Sequence, residues 1–129
     1  MPDDVETLRS AYEALNEGDM GAFLALLSRE IRWKGDDEGT DPDTYAGHTG
    51  VNRFYATRLE VWSELRQEPA ELIERGERVV AVVDTTTKGR ASGVQLEERS
   101  AHLWQVRGGK IVSFEAFSNR DEALTAASA

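Results

Sequence analysis

The chain contains no cysteine, and this absence excludes several kinds of site at once. Without thiols there is no disulfide framework, no thiolate metal site and no cysteine nucleophile. Basic residues are also outnumbered, because 15 Lys and Arg against 24 Asp and Glu give a net charge of −9. Such a charge repels a nucleic-acid backbone and an anionic membrane surface. We therefore expect neither nucleic acid nor a membrane as a partner.

Long hydrophobic runs are absent as well. No apolar stretch approaches the roughly 20 residues that a membrane-spanning helix needs. The chain begins with Met, Pro and two Asp, which is unlike the basic start of a secretory signal peptide. We therefore expect a cytoplasmic protein. The length of 129 residues fits one domain, residues 1–129, built around a single core.

Helical patterns dominate the first half of the chain. Apolar residues recur at helical spacing over 5–15, Gly18 supplies a left-handed stop, and Asp19 caps a short second helix. A brief strand at 31–33 and a polar loop at 35–43 follow. The next apolar stripe predicts a long third helix that runs to about Leu65. The predicted order over this half of the chain is therefore two helices, one strand and a third helix.

After Pro69 the apolar period changes from that of a helix to that of a strand. Strands are predicted at 71–74, 79–83, 96–106 and 111–117, with the second of them the most buried. Gly108 and Gly109 suit a two-residue hairpin turn, and Asn119 with Glu122 predicts a cap for a short last helix. The predicted order is ααβαββββα, which is an α+β fold.

The acidic loop contains oxygen ligands that calcium or magnesium would accept, namely Asp37, Asp41 and Asp43. Their spacing does not fit a calcium loop, because the sixth position from Asp37 is not glycine and the twelfth is His48. We expect no metal site. No glycine-rich phosphate loop or nucleophile elbow is present either, so we expect no cofactor.

The element order resembles that of SnoaL-like proteins and ketosteroid isomerases of the nuclear transport factor 2-like superfamily. The resemblance also rests on the segment at 15–19, the helix start at 47–55 and the hairpin at 109–112, and it covers nearly the whole chain. It implies a cone-shaped α+β barrel in which a curved, mostly antiparallel sheet wraps around the helices. It further implies a pocket for a small apolar molecule and a homodimer formed through the outer sheet face.

The catalytic groups of ketosteroid isomerase are not found at the aligned positions. That enzyme uses an aspartate base and an oxyanion hole made by a tyrosine and a protonated aspartic acid. Alignment without gaps places the tyrosine at Ala11, the aspartate base at Gly35 and the protonated aspartic acid at Ala101. Tyr12 and Asp36 each lie one position away, so a register shift would restore two of the groups. Because Tyr12 belongs to an apolar helix stripe, we expect the ketosteroid isomerase mechanism to be absent.

Hairpin geometry divides the last two long strands into faces. A two-residue turn places Leu103 opposite Phe114, and the resemblance assigns this face to the pocket. The other face carries His102, Trp104 and Glu115. We expect these residues at the dimer interface, because that surface is too apolar to be exposed to solvent. A three-residue bulged turn would reverse the faces of the last strand.

Asp84 interrupts an apolar strand, and the resemblance points it into the pocket. A bare buried carboxylate is costly, so we expect either a cationic partner or a raised pKa. Arg99, on the next strand, is the predicted partner. The pair could serve as a general acid or base, with Tyr55 assisting. The alternative is that Asp84 marks the point where the strand emerges into solvent, or that it forms a structural ion pair.

Large apolar side chains are predicted to form the remaining pocket wall. They are Trp33, Phe54, Trp62, Val82, Leu103 and Phe114. The expected function is a small-molecule pocket protein, acting as a cofactor-independent isomerase, cyclase or hydrolase on an apolar cyclic or carbonyl compound. The alternative is a dimeric ligand-binding or interaction module without turnover.

Overall fold

The computed structural model describes residues 4–34 and 45–128. It confirms the predicted α+β class and adds one two-residue strand before the third helix. The helices are α1 (Asp4–Glu17), α2 (Met20–Ala25), α3 (Gly47–Val61) and α4 (Arg120–Ala127). The strands are β1 (Leu27–Lys34), β2 (Tyr45–Ala46), β3 (Trp62–Arg75), β4 (Arg78–Gly89), β5 (Gln95–Arg107) and β6 (Lys110–Phe117).

All six strands of the described chain form one curved sheet in the order β2-β1-β6-β5-β4-β3. The pairs are antiparallel except for β1 and β6, which run parallel. The sheet is not closed, so its two edges are β2 and β3. Within the described residues, no helix is long and apolar enough to cross a membrane.

Both faces of the sheet are covered over part of their area. The main core lies on the concave face, where residues of α1, α2 and α3 pack against Val79, Ala81 and Val83 of β4. A second cluster lies on the opposite face, where Ala123 of α4 packs with Val80 and Ala101. The run of five apolar residues at 79–83 is therefore buried from two sides.

Local signals in the sequence account for the helix ends. Asp19 caps α2 by accepting a hydrogen bond of 3.0 Å from the Ala22 N–H, and Asn119 caps α4 by accepting one of 2.9 Å from Glu122. Gly108 and Gly109 both adopt positive φ, at 60° and 79°, which confirms the predicted two-residue turn.

The third helix ends four residues earlier than predicted. Trp62 has an extended backbone, with φ −110° and ψ 125°, and pairs with Gly89 as the first residue of β3. The apolar pattern at 59–65 is compatible with a helix, but the hydrogen bonds to β4 favour the strand. As a result β3 is much longer than the predicted strand at 71–74.

A register shift in the last hairpin reverses the predicted faces. Val106 pairs with Ile111 as expected, but Val112 is an extra residue and Gln105 then pairs with Ser113. Beyond this bulge Phe114 lies opposite Trp104, not opposite Leu103. The predicted pairing of Leu103 with Phe114 is therefore wrong, although the turn itself was predicted correctly.

Candidate functional site

A cavity of about 430 Å³ lies between α3 and the concave face of strands β3 to β6. Its aromatic wall consists of Phe54 and Tyr55 of α3, Trp62 of β3 and Phe114 of β6. These four residues were predicted to line the pocket or to assist in it. The cavity therefore lies between one helix and four neighbouring strands.

Trp33, also predicted as a wall residue, lies behind this wall. Its ring stacks on Phe114 at a centroid distance of 4.0 Å and an interplanar angle of 21°, and it meets Phe54 and Tyr55 edge-on or tilted. It is buried and does not belong to the cavity surface. Trp33 thus supports the aromatic wall and does not form it.

The opposite wall of the cavity is largely polar. Alternate residues of a strand face the same side, and on β4 and β5 the lining residues are Thr85, Thr87, Glu98, Ser100 and His102, with Leu96 as an apolar member of the same row. Arg58 of α3 and Gln67 of β3 complete the polar lining near them. An apolar ligand with a few polar groups fits such a mixed surface.

His102, the most buried residue of this polar row, belongs to a buried hydrogen-bond chain. The Tyr12 hydroxyl lies 2.7 Å from His102 Nδ1, and Trp104 Nε1 donates to the same hydroxyl at 2.9 Å. The exposed fractions of Tyr12, Trp104 and His102 are 1%, 1% and 6%. Stacking of Tyr12 on His102, with ring centroids 6.0 Å apart, adds to the fit.

One of the two bonds has a fixed direction. An indole N–H is a donor only, so the Tyr12 oxygen accepts from Trp104, while the donor in the bond between Tyr12 and His102 Nδ1 depends on the imidazole tautomer. Burial raises the pKa of Tyr12 well above its usual value, with the Trp104 bond opposing and Tyr55 adding to the rise. The tyrosine therefore keeps its proton at neutral pH.

Asp84 and Arg99 pair as predicted, but not in the cavity. Arg99 donates to both carboxylate oxygens, at 2.7 Å and 2.9 Å, across directly paired positions of β4 and β5. The side chains are 51% and 63% exposed on the face opposite the cavity. The Arg99 hydrogen bond lowers the pKa of Asp84. The predicted inward orientation is wrong because odd-numbered residues of β4 face the concave side.

Val82 and Leu103 were also assigned to the pocket, and both lie on the other face. Val82 has the same strand parity as Val80 and Asp84, and it pairs with Ala101. Leu103 packs against the small cluster under α4. The reason is again parity, because the run at 79–83 is apolar on both faces and does not mark the inner one.

His102 and Trp104 were expected at a dimer interface on the outer face. Both are buried on the concave face within one chain, so this orientation is wrong. Glu115 does lie on the outer face, where its carboxylate is 3.7 Å from Lys34 Nζ. The strand partners explain the error, since the bulge at Val112 places Phe114 beside Trp104.

The positions aligned with ketosteroid isomerase have different surroundings. Ala11 is buried in the main core, and Ala101 lies under α4 on the outer face. Their chain neighbours Tyr12 and His102 are the residues that meet on the concave side. An apolar helix stripe that contains a tyrosine was the available signal for Tyr12. Gly35 and Asp36 lie outside the described residues.

No group of three carboxylate or histidine side chains suited to a metal ion occurs in residues 4–34 and 45–128. The expectation that the acidic loop holds no metal ion concerns Asp37, Asp41 and Asp43, which lie outside the described residues. The polar side chains that line the described cavity can form hydrogen bonds and transfer protons.

Comparison with known proteins identifies the fold. The model of the SnoaL-like domain matches residues 8–114. A nuclear transport factor 2-like protein of unknown function from Burkholderia pseudomallei has 28% identity and a TM-score of 0.81, with 100% of each chain covered. A comparison with curated proteins finds no significant match.

Two further solved structures share the fold at lower identity. TerC co-crystallised with polyporic acid has 23% identity and a TM-score of 0.78, with 98% of each chain covered. A ketosteroid isomerase from Mycobacterium sp. has 18% identity and a TM-score of 0.75, with 91% of this chain and 93% of that chain covered. At these identities the likeness concerns the fold alone.

Proposed function

The chain belongs to the SnoaL-like domain family, and from this premise we propose that it binds a small, largely apolar molecule in the cavity between α3 and the sheet. In this proposal the aromatic wall receives the apolar body of the ligand. His102 contacts an oxygen atom of the ligand at the buried end of the polar wall. A cyclic compound that carries a carbonyl or hydroxyl oxygen is the ligand class that these surfaces fit.

The hydrogen-bond chain from Trp104 through Tyr12 to His102 carries the proposal. Both hydrogen bonds are short and buried, so they hold the imidazole in one orientation on the cavity wall. In this proposal a ligand oxygen that enters the cavity contacts the imidazole at that position.

A second candidate function is acid–base catalysis by the same histidine. An imidazole can give and take a proton, and hydrogen bonding to a carbonyl oxygen assists enolisation, isomerisation and ring closure. A cofactor-independent isomerase, cyclase or hydrolase would use His102 in this way. Against turnover, Asp84 is on the outer face, and among the described cavity residues the one carboxylate is the exposed Glu98.

Binding is tested by titrating the protein with apolar cyclic carbonyl compounds and following tryptophan fluorescence. Polyporic acid, bound in the TerC structure, is a suitable first probe. We expect His102→Gln to weaken binding by about three- to tenfold, because one neutral hydrogen bond contributes about 0.5–1.5 kcal/mol. His48→Gln is the matched control, since the Nε2 of His48 bonds the Leu27 carbonyl at 3.0 Å outside this cavity.

Asp84→Asn serves as a second control and is expected to bind the probe like the wild type, because Asp84 is exposed on the outer face. Absence of binding by any member of a panel of such compounds would contradict the proposed function. Equal affinity of His102→Gln and wild type would show that His102 does not contribute to ligand binding. Product formation, measured by mass spectrometry, would establish turnover if it is lost in His102→Gln.

A further inference from the structure

Large exposed hydrophobic side chains are concentrated at one end of the sheet. In the part of the chain that the structure describes they are Leu59, Val61, Val94 and Leu96, with exposed fractions between 45% and 55%. The first two belong to the end of α3, and the other two lie at the beginning of β5 or directly before it. Apolar side chains scattered singly over a surface need no explanation, whereas a contiguous group of them is typical of a binding surface.

Backbone hydrogen bonds at the end of β4 bring the two segments together. The Gly89 N–H donates to the Val94 carbonyl, and the Arg90 N–H donates to the Val61 carbonyl, each at 2.9 Å. Trp62 is the strand partner of Gly89. Gly89 and Arg90 therefore lie between the two apolar segments. The group on either side of them is called the apolar rim, and it consists of Val61, Trp62, Val94 and Leu96.

The apolar rim is continuous with the cavity between α3 and the sheet. Trp62 and Leu96 line that cavity, yet Trp62 is half-buried and Leu96 is 54% exposed. Leu96 has the same strand parity as Glu98 and Ser100 of the cavity wall. A side chain that lines a cavity and is also exposed lies where the cavity meets solvent. The rim therefore extends the apolar surface of the cavity outward.

We propose that the ligand carries a neutral hydrocarbon substituent that leaves the cavity and lies on the apolar rim. This inference rests on the proposed function, because it extends the ligand of the same cavity. The ligand then has two parts, a ring with an oxygen atom inside the cavity and a hydrocarbon chain at its mouth. Contact with the chain removes exposed apolar surface of the rim from water, which is favourable. Leu96 is in this way a residue that determines ligand specificity.

The charges beside the rim favour a neutral occupant. Glu60 precedes Val61 and Glu97 follows Leu96, and both carboxylates are exposed. Together with the net charge of −9, they repel an anionic membrane surface. A second copy of the chain would bring the same carboxylates close to each other. A hydrocarbon chain of the ligand meets neither repulsion.

A series of para-alkyl acetophenones, with linear chains from methyl to pentyl, keeps the ring and the carbonyl constant while the chain grows. Isothermal titration calorimetry measures each affinity. We expect the affinity of the wild type to rise by about twofold per methylene up to the longest chain, which is less than the roughly fourfold expected for a fully buried methylene. Leu96→Thr should weaken the pentyl compound by about three- to fivefold and leave the methyl compound within about twofold.

Leu59→Gln is the matched control. Leu59 is 45% exposed at the end of α3, but it lines neither this cavity nor the rim. Its replacement removes a similar exposed leucine side chain and should change the affinity for neither the methyl nor the pentyl compound. Val94→Thr replaces a rim residue by one of the same shape and should weaken the pentyl compound selectively, as Leu96→Thr does.

The outcomes separate this inference from the proposed function. Binding of no member of the series would contradict the proposed function, and the inference with it. If the methyl compound binds but the affinity stops rising with chain length, or if Leu96→Thr weakens all members equally, the cavity stands and the role of the rim is wrong. A concentration-dependent mass in light scattering that Leu96→Thr abolishes would assign the rim to a second copy and would also overturn the proposal. Thermal unfolding shows that each variant is folded, and Val94→Thr decides the question if Leu96→Thr does not fold.

Discussion

Tyr12 contributes one hydroxyl group to two buried nitrogen atoms. It accepts from Trp104 Nε1 and is hydrogen-bonded to His102 Nδ1, with all three residues almost fully removed from solvent. A buried polar atom that loses its partner keeps its desolvation cost. The hydroxyl therefore stabilises the interior of the concave face and also fixes the orientation of the imidazole that lines the cavity.

Removal of this hydroxyl should destabilise the protein. We expect Tyr12→Phe to lower the free energy of unfolding by about 2–3 kcal/mol, since two buried nitrogen groups lose a partner. Urea denaturation at neutral pH measures the change. Ser63→Ala, which removes an exposed bond of 3.3 Å to the Lys88 carbonyl, should change stability by less than about 0.5 kcal/mol. Equal effects of the two variants would contradict the assigned role of Tyr12.

The contribution of Tyr12 should also depend on pH. Its pKa is raised on folding, so the folded state holds the phenol proton more tightly than the unfolded state does. The resulting stability is fully present below the usual tyrosine pKa near 10.0 and decreases as pH rises above it. The stability difference between wild type and Tyr12→Phe should therefore shrink above pH 10.0. A constant difference across that range would show that Tyr12 does not titrate differently in the two states.

At the scale of elements, one side chain joins α1 to the edge strand β3. Asn16 donates to the Gln67 carbonyl and accepts from the Gln67 N–H, each at 2.8 Å. Within the described residues β3 has no strand on its outer side, and these bonds satisfy backbone groups as a neighbouring strand would. Because Gln67 also lines the cavity, the contact connects the position of α1 with the cavity wall.

We expect Asn16→Ala to lower the free energy of unfolding by about 1–2 kcal/mol and to accelerate hydrogen exchange at the Gln67 amide, because both bonds are lost. Hydrogen exchange followed by NMR measures the local effect. The matched control is Asn119→Ala, which removes a hydrogen bond of 2.9 Å that the Asn119 side chain accepts from the Glu122 N–H at the start of α4. It should reduce stability by a comparable amount without affecting Gln67. If Gln67 exchanges equally fast in both variants, the edge contact has no local role.

Elements also show how far the sequence allowed prediction. The helix caps at Asp19 and Asn119, the turn at Gly108 and Gly109, and the pairing of Asp84 with Arg99 were all predictable from short-range chemistry. The bulge at Val112 was not, since no residue in 110–117 has a backbone requirement that marks it. One extra residue was enough to place Phe114 opposite Trp104 instead of opposite Leu103.

At the scale of the whole molecule, α4 determines how much of the outer face of the sheet is exposed. Part of this face is covered by α4, whose Ala123 packs on Val80 and Ala101. Arg78 ties the end of the helix to the sheet by donating to the Ala126 carbonyl at 3.1 Å. The homodimer through the outer face stays a prediction, and it would have to use the area that α4 leaves open.

Removal of α4 should convert this covered area into an exposed apolar surface. We expect a chain that ends at Asn119 to self-associate, because Val80, Ala101 and Phe117 lose their cover. Size-exclusion chromatography with light scattering measures the mass. Arg120→Ala, which breaks one exposed ion pair of 3.3 Å with Glu71, should leave the mass unchanged. A truncated chain with the mass of the full-length protein would show that α4 does not protect this face.

By itself the sequence determined the class of fold, most of the element order and the local chemistry of caps and turns. These depend on the spacing of apolar residues and on backbone preferences, both of which act over a few residues. Only the tertiary structure decided which strand face meets the cavity. The run at 79–83 is apolar on both faces because helices cover it from both sides, and a strand buried twice has no alternation to reveal its orientation.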